Sequence, residues 1–229
     1  MNAPLRAART ATEDTILATL HARLASPSQG RLASLARDAL TALEAHGLPN
    51  RRVEEWKYTD LRAALRAFPP LSAAPEAGEE AEGSFKALKV PEAARILFVS
   101  GAFARGACDL AGLPAGVSAV PLASAAAAGD PLVDRIGSLG PDRHDGALAL
   151  NTCFLGEGLV LRVAAGAKPE RAVHLAHVFP SAEPLSGFTR TVVVVEEGAE
   201  VTLVESFSGR PGVAYLASGA GTHPTLVIA

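Results

Sequence analysis

Two stretches near the start of the chain place apolar residues at helical spacing. Ile16, Leu17, Leu20 and Leu24 share one face behind Thr10-Ala11-Thr12-Glu13, a Ser/Thr-x-x-Glu box that caps a helix N-terminus. Pro27 ends this first predicted helix. Leu32, Leu35, Ala36, Ala39, Leu40 and Leu43 predict a second from about Ser28, closed by Gly47 and Pro49, and the two are expected to pair as a hairpin. Further on, Arg95-Ile96-Leu97-Phe98-Val99-Ser100-Gly101 reads as a short strand ending in a turn, and residues 104–146 as Gly/Pro/Ala-rich loop with one short helix near 131–136. In the last third the period changes to two. Leu159, Leu161 and Val163 run into Gly166-Ala167, and Val173, Leu175 and His177 follow; Val193 and Val195 run into Gly198-Ala199, and Val201, Leu203 and Glu205 follow. The two Gly-Ala turns lie 32 residues apart. An antiparallel meander gives the same alternation, but the recurring turn favours stacked β coils, where Gly takes the corner and Ala fits inside it.

Between these regions the composition shifts. Residues 68–84 hold Pro69, Pro70, Pro75, Gly78 and Gly83 with Glu76, Glu79, Glu80 and Glu82, too little apolar surface to offset ordering, so a mobile linker is expected. This divides the chain into a helical region (1–67), the acidic linker (68–84), a strand with a loop-rich connection (85–146) and a β core (147–229). The 21 Lys and Arg against 24 Asp and Glu give a net charge of −3 with no dense basic run, which removes the electrostatic reason to expect nucleic acid or an anionic membrane as partner. No apolar run approaches the roughly 20 residues of a membrane span, and the N-terminus lacks a secretory layout, so a cytoplasmic protein is expected.

Common catalytic signatures are missing: the chain has no phosphate loop, dinucleotide fingerprint, nucleophile elbow, C-x-x-C or H-E-x-x-H. His174 and His177 are three apart, which in a strand sends the imidazoles to opposite faces, so they are poor joint metal ligands and read as surface or corner histidines. Asp142-Arg143-His144-Asp145 sets a His beside two carboxylates and would be the acid/base set of a β-helix enzyme, sugar-active or acyl-transferring; a solvated charged turn explains it more simply. Cys108 sits beside Asp109, which raises a thiol pKa, and Cys153 among Leu150, Phe154 and Leu155, where a buried inert thiol is expected. The residues thus offer no catalytic, cofactor-binding or metal-binding set. The segment 51–62, if helical, places Trp56 with Asp60 and Glu54 with Tyr58 at i, i+4; it packs its Trp on the hairpin or shows it to a partner. An unrelated β-rich interaction module remains a further reading, with Trp56 simply core.

Several of these segments resemble one family. Arg52-Val53-Glu54-Glu55-Trp56-Lys57-Tyr58-Thr59-Asp60-Leu61 resembles the E-x-WKYT-x-L element of the SufB/SufD family, scaffold subunits of the SUF iron–sulfur cluster assembly system, and more closely its SufD-like branch. Ser100-Gly101-Ala102-Phe103 resembles the family's N/D-G-x-F turn with Ser in place of Asn or Asp. Ala149-Leu150-Asn151-Thr152 with Phe154 resembles its A-L-N-T-A-F entry to the β core, Cys153 replacing a small residue. The resemblance covers about residues 10–216. It implies a mainly β chain with an N-terminal helical region, carrying the first rungs of a right-handed parallel β-helix. It also implies a non-catalytic scaffold that organises SufB and SufC, with the cluster and ATP handled by the whole complex and no cofactor held by this chain alone. Relatives continue through more rungs and a C-terminal helical region, with any cluster-holding residues there, whereas residues 218–229 no longer resemble the family. A β-helix stopped after two coils would end in unpaired backbone groups, so self-association through that end is expected.

Overall fold

A computed structural model describes residues 8–25, 30–72, 90–137, 145–220 and 224–228, with residues 83 and 86. Helix α1 (Ala11–Leu24) starts at the expected capping box, the Thr10 side chain accepting from Glu13 N–H and the Glu13 side chain accepting from Thr10 N–H. Helix α2 (Arg31–His46) ends at Gly47, whose φ of 70° suits a residue without Cβ. A 3-10 turn (Glu54–Trp56) and α3 (Leu61–Ala64) follow. Then come β1 (Ala94–Val99), β2 (Ala102–Phe103), β3 (Val117–Pro121), α4 (Leu122–Ala127), α5 (Pro131–Asp134) and α6 (Gly146–Cys153). The remaining strands are β4 (Gly158–Val163), β5 (Val173–Phe179), β6 (Leu185–Val195), β7 (Leu203–Gly209), β8 (Tyr215–Ala220) and β9 (Pro224–Ile228). Among the described residues no helix is long and apolar enough to cross a membrane.

The strands form two sheets, ordered β2-β1-β5-β7 and β3-β4-β6-β8-β9. The 32-residue spacing appears as register, Val163 pairing with Val195 and Gly166 N–H donating to Glu197 C=O at 2.9 Å. The fold class expected from it is corrected: the architecture is α/β, with six helices among the described residues and two mixed sheets, not a mainly β parallel helix. Parallel pairs join β1, β5 and β7, and β4, β6 and β8, but β2, β3 and β9 pair antiparallel with β1, β4 and β8. The region expected to be mostly loop accounts for much of the difference: besides α5, which falls where a short helix was expected near 131–136, residues 104–146 supply β3, α4 and the start of α6.

Of the four buried clusters among the described residues, two bear on the sites below. Ile16, Leu20, Leu43 and Leu61 from α1, α2 and α3 pack with Leu150 of α6 against Phe188 and Leu216 on the helix-facing side of the five-stranded sheet. Between the sheets lie Ile96, Phe98, Leu159, Leu161, Val173 and Leu175. The first residues of the expected linker lie along β6: Ser186 N–H donates to Pro70 C=O at 2.7 Å and Ser186 Oγ to Pro69 C=O at 2.6 Å. Residues 73–82 and 84 of that linker lie outside the described residues.

Candidate functional site

The segment 51–62 is a turn, a 3-10 turn and a short helix, not one continuous helix, so Trp56 and Asp60 do not meet as helical i, i+4 neighbours. Asp60 instead caps α3, its Oδ1 accepting from Ala63 N–H at 3.0 Å. Trp56 is half-buried against the α1–α2 core, while Tyr58 stands 88% exposed beside Lys57, which pairs with Glu54 at 2.6 Å. Arg62 ties the segment down: its Nη2 lies 2.8 Å and its Nε 3.1 Å from Glu13 Oε2. Glu13 is buried, which opposes ionisation, but bonds from Thr10 and Leu48 N–H and from Arg62 outweigh that and hold its carboxyl below the usual range.

A second buried polar group sits where α6 meets the five-stranded sheet. Asp145 caps α6 by accepting from Ala147 and Leu148 N–H at 2.8 and 3.1 Å. Asp142, Arg143 and His144 lie outside the described residues. Along α6, Asn151 Nδ2 donates to Thr189 C=O, Ser218 C=O and Ser218 Oγ at 3.0–3.1 Å, reaching β6 and β8 together. Its Oδ1 accepts from Arg190 Nε and Nη2 at 3.0 and 2.8 Å, and Thr152 Oγ1 accepts from Arg190 Nη2 at 2.8 Å. Burial pulls the Arg190 pKa down to about 10, and among the described residues the cation is held by Asn151 and Thr152 oxygens, with no carboxylate paired to it. The Asn-Thr pair singled out by resemblance is thus a clamp on a buried guanidinium; nothing in the one-dimensional pattern marked Arg190, since a lone Arg in a strand reads as solvent-facing.

Both cysteines are structural. Burial pushes the Cys153 thiol up to about 12. Burial also raises Cys108, whose Sγ accepts from Leu97 N–H at 3.3 Å and donates to Ala104 C=O at 3.2 Å. Asp109 is turned away, accepting from Gly112 N–H and lying 3.6 Å from Arg171 Nη2, so the expected carboxylate effect on Cys108 gives way to burial. At the turn after β1, Ser100 takes φ of 47°, the left-handed conformation that Asn and Asp tolerate best, and Gly101 packs so close to Gly187 that an added Cβ would fall 2.4 Å from its Cα.

His174 and His177 point to opposite faces of β5, as their spacing predicts, but both are buried, which corrects the expectation of surface histidines. His174 Nε2 lies 2.7 Å from Ser206 Oγ, and burial lowers its pKa, with a smaller contribution from His177. His177 faces the space between the sheets. Its ring stacks on Phe98 at 4.8 Å and on Phe207 at 4.5 Å, a column set by the register Phe98, His177, Phe207 across β1, β5 and β7. Glu205 Oε1 approaches its Nε2 to 3.2 Å.

Residues 15–175 match the family described as SufBD protein N-terminal region, more than half of the 229-residue chain. The matched span runs from α1 into β5 and holds the WKYT segment, the Ser100 turn and the Asn151–Thr152 clamp. No curated protein matches the chain.

Proposed function

The chain belongs to the SufBD family through its N-terminal region, which connects it to iron–sulfur cluster assembly by the SUF system, and from that premise we propose that it is a SufD-type, non-catalytic scaffold subunit. The carrying observation is the match over residues 15–175. Its expected partners are SufB and SufC, with clusters and ATP handled by the assembled complex. Two buried polar groups, Glu13 and Arg190, support a scaffold reading, because each joins one element to another. Glu13 holds α1 to the Leu48 and Arg62 segments, and Arg190 with Asn151 joins α6 to β6 and β8. A polar group committed to such bonds is not free to move protons or attack a substrate. Co-expression with SufB and SufC from the same source, followed by purification through SufB, tests the reading. Stoichiometric retention of this chain is expected; its absence from a SufB–SufC complex that assembles normally would overturn the scaffold assignment.

A further inference from the structure

His177 is buried between the two sheets, its side chain 3% exposed and its ring fixed flat between Phe98 and Phe207. Its Nε2 nevertheless makes no hydrogen bond among the described residues. Glu205 Oε1 is near enough at 3.2 Å, but it stands off the axis along which the ring nitrogen bonds, so the contact is not a hydrogen bond. Two ligands of one metal ion stand in this relation. With metal–ligand bonds of about 2.1 Å, a 3.2 Å separation subtends about 100° at the metal, between octahedral and tetrahedral angles, with the ion on the nitrogen axis and the oxygen to its side.

Space and access agree. Gly219 of β8 lies beside Glu205, where a Cβ built on it would come within 3.1 Å of Glu205 Oε1, 3.4 Å of Phe207 Cζ and 3.8 Å of Thr189 Oγ1, so the glycine keeps a β8 side chain from crowding the carboxylate. The Glu205 side chain is 35% exposed on β7, whose outer edge no strand covers among the described residues, so an ion can enter and keep water ligands. Imidazole with one carboxylate suits Zn²⁺, Co²⁺ or Fe²⁺, whereas Ca²⁺ and Mg²⁺ take oxygen-only sets. We infer that His177 Nε2 and Glu205 Oε1 are the two protein ligands of an exchangeable site for a divalent transition-metal ion. No third His, Cys, Asp or Glu joins them among the described residues, so water completes the coordination and the ion is not a closed structural centre. This site does not depend on the scaffold reading.

Co²⁺ titration of the tag-free full chain, followed by visible absorption and calorimetry, tests the inference, with Zn²⁺ competition as a second readout. One saturable Co²⁺ per chain is expected, displaced by Zn²⁺. His177→Phe keeps the aromatic column and should abolish the absorption, Glu205→Gln should weaken binding at least tenfold, and His174→Gln on the opposite face should leave it unchanged. No Co²⁺ uptake by the wild-type chain would overturn the site. So would equal affinity in wild type and Glu205→Gln, a comparison that stands even if His177→Phe does not fold.

Discussion

Glu13 shows how one side chain does the work of several. Its Oε2 accepts from Thr10 N–H at 2.8 Å and from Arg62, and its Oε1 from Leu48 N–H at 3.0 Å, so it closes the start of α1, the loop after α2 and α3 at one point. Glu13→Gln should cost about 2–3 kcal/mol at neutral pH, less than the roughly 3–5 kcal/mol of a fully broken buried pair because the amide oxygen keeps an N–H partner. The folded-state pKa is depressed from its ordinary 4.5, so this stabilisation is present above about pH 4.5 and is lost as pH falls through the lower folded value. Urea unfolding of wild type and variant between pH 7 and pH 3 should therefore show the gap closing on the acid side. A gap independent of pH would show that shape, not charge, is what Glu13 contributes.

At the scale of elements, α6 ties the helical layer to the five-stranded sheet, packing on α2 and bonding to β6 and β8. Asn151→Ala removes its contacts to Thr189 and Ser218 and strips Arg190 of its main acceptor, leaving a buried cation short of partners. The expected loss is about 3–5 kcal/mol, read as a lower urea midpoint with unchanged m-value; a loss under about 1 kcal/mol would mean that Arg190 finds water instead. How much of this could be read from sequence follows from distance along the chain. The start of α1 was legible because Thr10 and Glu13 are three apart, and β1 because its apolar run is local. Segment 51–62 misled because its spacing fits a helix while Asp60 takes a cap, a choice that depends on the three residues after it. The clamp was half legible: resemblance singled out Asn151 and Thr152, but Arg190 is 39 residues from Asn151. The His177 column was hidden for the same reason, since Phe98 and Phe207 come from strands far apart in sequence and meet only through register. The stacked-coil reading saw the parallel register but not β3, β9 or α4, where the small residues give neither period clearly; of the helices in 104–146 it placed only the short one near 131–136.

For the molecule as a whole, the two sheets end differently. The five-stranded sheet is closed by antiparallel strands, β3 at one side and β9 at the other, whereas the four-stranded sheet ends at β7 with Leu203, Val204 and Phe207 only half-buried. Among the described residues no strand covers that edge, and an open edge seven residues long is a template for another strand. Light scattering across a concentration series should show the mean mass rising above 23.5 kDa, the mass of one chain; a constant monomer mass would show that the edge is protected. The clamp at α6 has a mechanical consequence for the same assembly of layers. Asn151 grips β6 and β8 in mid-strand through bonds that load together, so tension on the N-terminal helices reaches the sheet interior directly. The helical layer should bear that load with the sheet as one body and give way abruptly, without peeling off turn by turn.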